Sequence, residues 1–348
     1  MTSANRGEWS ELYAVGHLLV NGGGFAADEF AKLDKSIFYK VLEVVDNPSG
    51  ASETVYKINE SEIEILQNGI AVIHIMKSDI EPQLSLFFED LRSQSGSAAF
   101  ALQSGETLMK LLMKTKLTAS SALTSDLHLV IEDQETRFPS PRRGFSVKSE
   151  VGSPATIFNA SQSTNLTYRI VGGGKPELFT NVSGVKTNLK LLNQNGFSLE
   201  LVEYDNPILH ASLLNIDSNL PAFLAELMLA YYKSTTTNIR EISQTLWPES
   251  LPDSSLKISK IKKFLSAASM GLRANSVWSG YPEDFGGLLL VKENGDVLFY
   301  YLYNLQRFEE YLFNSLRFET PSASKHKFGQ IYFVGEEPRI KLNLQIRY

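Results

Sequence analysis

A chain of 348 residues, 43% hydrophobic and 21% charged, has apolar material for one large core or two smaller ones, and this composition excludes a disordered protein. Its formal net charge of -6 excludes a uniformly basic coat for nucleic acid but is compatible with a local basic cleft. The absence of cysteine removes disulfide partners, zinc–thiolate sites, cysteine nucleophiles and iron–sulfur clusters together, and makes a reducing cytoplasm the expected location. The start, M-T-S-A-N-R-G-E-W-S-E, lacks the apolar core of a signal peptide, and no later apolar run is long enough for a membrane span. The Asn-x-Ser/Thr sequons at Asn59, Asn159, Asn165 and Asn181 therefore read as chance.

From 8 to 20, Trp9, Leu12, Tyr13, Val15, Leu18 and Leu19 recur at helical spacing and predict an amphipathic helix. Glu8 and Glu11 are neighbours on its surface, with Glu11 at the border of the apolar stripe; both also read as acids favoured in a first helical turn. N-G-G-G-F (21–25) ends the helix as a C-cap and turn. Short strands are expected at 54–58, 62–66 and 70–75, then helices at 80–92 and 105–114, a mixture that predicts an α/β or α+β fold.

S-D-L-H-L-V-I-E-D (125–133) opens on Asp126 and continues with strand composition, and a bridge containing Pro139 and Pro141 leads to G-F-S-V-K-S (144–149). Side chains alternate along a strand, so Ser146 and Lys148 share one face of this hairpin, and a suitable register brings Asp126 beside them. An aspartate is a hard oxygen ligand for a divalent cation, a lysine orients or deprotonates a water, and the Val147 carbonyl offers a further oxygen. That set serves phosphodiester hydrolysis, although a hairpin with a solvated Asp and Lys at its ends gives the same short pattern.

The hydroxyl-rich stretch 152–166 is apolar for a surface connection and reads as a loop against a ligand backbone. A strand (167–171), a turn, a helix (185–193), two strands within 197–215 and helices at 220–232 and 239–246 are expected next, and P-E-S-L-P-D-S-S (248–255) is the best linker candidate. Ile258, Ile261, Phe264, Leu265 and Ala268 then mark a helix whose other side carries Lys257, Lys260, Lys262 and Lys263, either solvated or facing phosphate. Asn294-Gly295 signals a two-residue hairpin within 286–303, followed by a helix over 306–318. In the ending R-I-K-L-N-L-Q-I-R-Y, Ile340, Leu342, Leu344 and Ile346 face one way and Arg339, Lys341, Asn343, Gln345 and Arg347 the other. This second face, free of acids, suits phosphate and purine contacts and equally suits an amphipathic edge strand.

G-F-S-V-K lacks the last glycine of a serine-hydrolase elbow, no phosphate-binding G-x-x-x-x-G-K-[ST], H-E-x-x-H or EF-hand loop occurs, and the histidines (His17, His74, His128, His210, His326) are scattered. Taken together, G-E-W-S-E-L-Y (7–13), S-D-L-H-L-V-I-E-D, G-F-S-V-K-S, T-I-F-N-A-S-Q-S-T-N (156–165), I-D-S-N-L-P (216–221), T-P-S-A-S-K-H-K-F-G (320–329) and K-L-N-L-Q-I-R-Y (341–348) resemble the HpaII-type restriction endonucleases, from the first helix to the last residue.

The resemblance implies a type II enzyme that cuts double-stranded DNA at C-C-G-G with a Mg2+-dependent core of the PD-(D/E)xK class, a mixed central sheet flanked by helices, and a homodimer on the palindromic site. With the order of elements along the chain, a catalytic core over 1–205 and a C-terminal α+β extension, 206–348, for DNA recognition are expected. Asp126 then becomes a metal ligand and Lys148 the lysine that orients the attacking water, leaving a 5′-phosphate and a 3′-hydroxyl. Ser146 stands where the class carries Asp or Glu, and Ser125 replaces the proline. Serine cannot act as an anionic ligand, so the missing carboxylate is expected from the first helix, at Glu11 or, as second choice, Glu8, with the Val147 carbonyl alongside. DNA contacts are expected from Lys341, Asn343, Gln345 and Arg347, from Lys325, and from Arg142 and Arg143. The rival readings are a DNA-binding protein without activity on the same scaffold and a Mg2+-dependent phosphatase.

Overall fold

Asn5 opens the first helix, α1 (Arg6–Asn21): its side chain accepts the Glu8 N–H at 3.0 Å, and the Glu8 carboxylate accepts the Asn5 N–H at 2.6 Å. Two amides at the helix entrance are thus satisfied reciprocally. The helix ends where Gly22 adopts φ +68°, a left-handed conformation that glycine takes without strain. The computed structural model describes residues 2–46, 53–96, 98–117, 125–152, 156–175, 184–281 and 284–348.

Strand β1 (Ser3–Ala4) precedes α1, and β2 (Gly23–Ala27), β3 (Leu33–Asp46), β4 (Thr54–Ile58), β5 (Glu62–Gln67), β6 (Ile70–Met76), α2 (Lys77–Ser93), β7 (Phe100–Ala101), α3 (Gln103–Leu111), β8 (Leu127–Ile131) and β9 (Arg143–Ser149) follow it. Next come β10 (Thr156–Phe158), β11 (Asn165–Gly172), α4 (Val185–Gln194), β12 (Phe197–Tyr204), α5 (Pro207–Ile216), α6 (Leu220–Lys233), α7 (Ile239–Leu246) and α8 (Ser254–Ser269). The chain closes with β13 (Phe285–Val291), β14 (Val297–Tyr301), α9 (Leu305–Ser315), β15 (Arg317–Phe318), α10 (Ala323–His326), β16 (Ile331–Val334), β17 (Glu337–Asn343) and β18 (Ile346–Arg347). Among the described residues, no helix is long and apolar enough to cross a membrane.

Two compact units result, one of Met1–Ala155 with Pro282–Phe308, the other of Thr156–Tyr281 with Glu309–Tyr348. The division expected at 205/206 therefore falls elsewhere, and the reason is strand pairing. β13 lies parallel to β9, with Ser146 opposite Leu288 and Lys148 opposite Leu290, while β14 folds back on β13. Parallel neighbours need a long crossover, and here the chain between them supplies the larger segment of the second unit, Thr156–Tyr281.

The first unit contains a nine-stranded mixed sheet ordered β2-β14-β13-β9-β8-β3-β4-β5-β6. With its flanking helices it has the mixed α/β architecture expected from the sequence. Trp9, Leu12 and Leu18 of α1 are fully buried in one core with Phe87 of α2, Phe145 of β9 and Phe299 of β14, and Trp9 meets Phe87 edge-on at 5.8 Å. Side chains of this size contribute roughly 1.5–3 kcal/mol each when fully buried, which fixes α1 against the sheet.

The second unit holds a four-stranded sheet, β12-β11-β17-β16, and a three-stranded one, β10-β18-β15. Its buried tyrosines keep their hydroxyls satisfied, Tyr168 donating to the Ala225 carbonyl at 2.9 Å, Tyr204 to Pro221 at 2.7 Å and Tyr232 to Asn343 at 2.8 Å. Only one of the two strands expected within 197–215 forms; the other segment is α5, entered by an Asn206 side chain that accepts the Ile208 N–H at 2.9 Å, with Pro207 at the first helical turn. The expected linker 248–255 is instead a tight turn inside this unit, where Ser254 Oγ donates to the Pro248 carbonyl at 2.6 Å.

Candidate functional site

The β8–β9 register sets Leu127 opposite Phe145 and so brings Asp126, one residue ahead of β8, alongside β9. The Asp126 N–H donates to the Phe145 carbonyl at 3.0 Å, and its carboxylate accepts the Val147 N–H at 2.7 Å. The neighbouring side chain is Lys148. α1 is tied to the same strand through Ser10, whose Oγ lies 2.9 Å from Ser149 Oγ and donates to the Arg6 carbonyl at 2.8 Å. The next residue along the helix is Glu11. A cavity of about 360 Å3 is lined by Glu11, Asp126, Val147, Lys148 and Ser149, together with Arg6.

Burial pushes the Glu11 carboxyl up to about 8, and the negative charge of Asp126 adds to the shift, against the opposing pull of Lys148 and Lys114. Lys114 is itself held 2.6 Å from Asp46, whereas Lys148 has no carboxylate partner among the described residues. Two acids from different elements therefore face each other in a confined space, and a divalent cation between them would remove the repulsion. Among the described residues no group of three or more His, Cys, Asp or Glu side chains could hold a metal ion. A pair of carboxylates with a carbonyl fits Mg2+ nonetheless, since that ion keeps several waters and takes part of its shell from substrate phosphate. A larger cavity of about 830 Å3, lined by Lys327, Phe328, Tyr332 and Lys341, lies in the second unit and has no acid in its wall, so chemistry and not size selects the site.

Residues 5–348 match the family described as HpaII restriction endonuclease. The chain belongs to that family. It is 34% identical over 355 residues to the type II restriction enzyme HpaII of Haemophilus parainfluenzae, a match that covers 99% of this chain and 98% of that protein. No solved structure matches. The family makes the protein a type II restriction endonuclease, a site-specific deoxyribonuclease, with DNA as its substrate.

Other expected positions in this restriction endonuclease fall differently. Glu8 is engaged in the Asn5 cap and does not line the cavity, because its carboxylate completes the helix entrance. Ser146 does not line it either. His128 places Nε2 2.7 Å from Asp284 and is a packed residue. The strand ending the chain is broken: β17 pairs with β11, β18 pairs with β10 and β15, and Leu344 between them donates its N–H to the Thr164 carbonyl.

Its polar side is consequently not a free cationic strip. Asn343 is 1% exposed and donates to the Ser161 carbonyl at 2.7 Å, and Gln345 is 8% exposed. Arg339 pairs with Glu337 at 2.5 Å, Lys341 with Asp205 at 2.5 Å and Arg347 with Glu319 at 2.6 Å. Arg142 pairs with Glu53 at 2.9 Å, Arg143 is half-buried at the start of β9, and Lys325 is exposed on α10. Of the α8 lysines, Lys257, Lys260 and Lys262 are paired with Glu226, Asp217 and Glu310, so these three are held by acids of their own unit. Within 152–166, Gly152 packs directly on Arg6, and Ser161 caps the turn that leads into β11.

The hairpin depends on Gly144. A Cβ at that position would come within 2.2 Å of Ser125 Oγ and 2.8 Å of Ser125 Cβ, next to Asp126. Gly144→Ala is expected to cost on the order of 1–3 kcal/mol and to slow cleavage by moving Asp126. Thermal unfolding followed by circular dichroism reads the first effect, and an unchanged melting temperature would contradict this packing.

Proposed function

We propose that this restriction endonuclease hydrolyses duplex DNA at C-C-G-G in a Mg2+-dependent reaction, with the ion held by Asp126, Glu11 and the Val147 carbonyl. The observation that carries this reading is the meeting of two carboxylates from separate elements with a lysine that has no carboxylate partner among the described residues, in one cavity. The C-C-G-G target is what the sequence resemblance implies. When bound, the ion would supply positive charge to the phosphate under attack.

The chain's own residues do the rest. The Val147 N–H fixes the Asp126 carboxylate, so the acid is preorganised. Lys148 orients the water that attacks phosphorus in line with the 3′ oxygen. The water oxygen bonds to phosphorus as the P–O3′ bond breaks, the water releases a proton to solvent, the 3′ oxygen takes one up from solvent, and the products are a 5′-phosphate and a 3′-hydroxyl. Lys325, Arg142, Arg143, Lys341 and Arg347 are proposed phosphate contacts; the paired ones among them exchange a carboxylate for a phosphate. A cytoplasmic location belongs to the same reading.

Digestion of a plasmid of known sequence tests it. Discrete fragments with ends at C-C-G-G are expected with Mg2+ and none with chelator. Cleavage that survives chelation, or intact plasmid carrying many such sites, would contradict the proposal.

A palindromic target is read most simply by a two-fold symmetric protein, so two chains are expected on one site. Light scattering of the complex with a single-site duplex measures this directly. A complex containing one chain per duplex would rule out the dimer.

A further inference from the structure

The active-site cavity contains a second cation besides Lys148. Arg6, the first residue of α1, lines the same wall space as Glu11, Asp126 and Lys148. Its Nη2 donates to the Gln94 carbonyl at 2.8 Å, which fixes the direction of the side chain. The guanidinium lies on Gly152, where a Cβ would fall 1.6 Å from Nη1 and 2.4 Å from Cζ, so only a residue without a side chain allows this seat. Its Nε is buried without a hydrogen-bond partner.

Among the described residues Arg6 has no carboxylate partner, whereas Arg142 and Arg307 of the same unit are paired with Glu53 and Asp34. A fixed, partly desolvated guanidinium held apart from the acids of its own cavity is costly unless an anion arrives to meet it.

We propose that Arg6 is a catalytic residue that binds a non-bridging oxygen of the phosphate being cut and stabilises the charge gathering there as water attacks. This rests on the nuclease reading above, and it makes Gln94 and Gly152 the positioning groups of that guanidinium. Removing one such preorganised donor costs about 10²–10³-fold in rate when it acts on the transition state.

The test is single-turnover cleavage of a duplex with one C-C-G-G site by wild type, Arg6→Gln, Arg6→Lys and Gly152→Ala, with duplex binding measured separately by anisotropy under chelator. Arg6→Gln is expected to lose about 10²–10³-fold in rate with binding changed less than about tenfold, and Arg6→Lys to recover part of the loss. Gly152→Ala is expected to slow cleavage with Arg6 still present, and it decides the matter if circular dichroism shows Arg6→Gln unfolded. Arg6→Gln or, in that event, Gly152→Ala cutting at the wild-type rate would overturn the proposal. So would a defect confined to binding. Failure of the wild-type protein to cut would instead remove the nuclease reading itself.

Discussion

Asp126→Asn and Lys148→Ala each lower the single-turnover cleavage rate by at least about 10³-fold and leave the melting temperature close to that of wild type. The asparagine is chosen because of what Asp126 does in the fold. Its carboxylate accepts the Val147 N–H at 2.7 Å, and alanine would strand that amide at a cost of about 1 kcal/mol or more. An amide oxygen keeps the bond and removes the charge, so a loss of rate without loss of stability isolates the chemistry. Lys148 is half-buried and has no acid partner among the described residues, so its truncation removes an amine without orphaning a carboxylate. Plasmid cleavage and circular dichroism on the same preparations check both statements. Cleavage by either variant within tenfold of wild type would remove that side chain from the mechanism.

Glu11→Gln has the second large effect, and it runs in opposite directions for activity and stability. Without a cation the folded protein holds a proton on Glu11 up to about pH 8, whereas the unfolded chain releases it near the ordinary value of 4.5. A carboxyl whose pKa is raised by folding contributes stability that is complete below pH 4.5 and is lost as pH rises through 8. The wild type in chelator is therefore expected to lose on the order of 5 kcal/mol between these limits, relative to Glu11→Gln. Thermal melts at pH 5 and pH 8.5 read the difference: similar midpoints at the lower pH, a higher midpoint for Glu11→Gln at the upper one. Adding Mg2+ at pH 8.5 raises the wild-type midpoint and not that of the variant. Parallel pH profiles for the two proteins would contradict the buried acid pair.

The β8–β9 hairpin was legible because two independent periodicities agree there. Leu127 to Ile131 have strand composition, Ser146 and Lys148 alternate with Phe145 and Val147, and antiparallel pairing then leaves little freedom for Asp126. Glu11 is proposed as a ligand because the family resemblance points to a carboxylate on the first helix and because it sits at the border of the apolar stripe of α1. The Asn5 cap engages Glu8 at 2.6 Å, which supports proposing Glu11 over Glu8.

What sequence could not show depends on pairing at a distance. Asn294-Gly295 announces the β13–β14 hairpin, but nothing local says that β13 lies beside β9 and carries the chain back into the first unit. Strand β3 carries a weak local signal because Asp34, Lys35, Lys40 and Glu43 interrupt its apolar positions. Asn206-Pro207 was an available helix-start signal that the apolar run after it obscured. In the C-terminal ending, alternation predicts one continuous strand. The break between β17 and β18 buries Asn343 and Gln345, and the acids that pair Lys341 and Arg347 come from Asp205 and Glu319, far away in sequence. The role of Arg6 was hidden for the same reason, because Gln94 and Gly152 give it its place.

The central claim is that one helix and one hairpin jointly supply the acids of the hydrolytic site, and paired glutamate variants test it most directly. Glu8→Ala and Glu11→Gln are compared with wild type in single-turnover cleavage of one duplex with Mg2+. Glu8→Ala is expected to cut at close to the wild-type rate, with a stability loss of about 0.5–1 kcal/mol from the broken cap. Glu11→Gln is expected to be inactive while more stable in chelator at pH 8.5. Glu11→Gln cutting at the wild-type rate, or Glu8→Ala folded and inactive, would contradict the account.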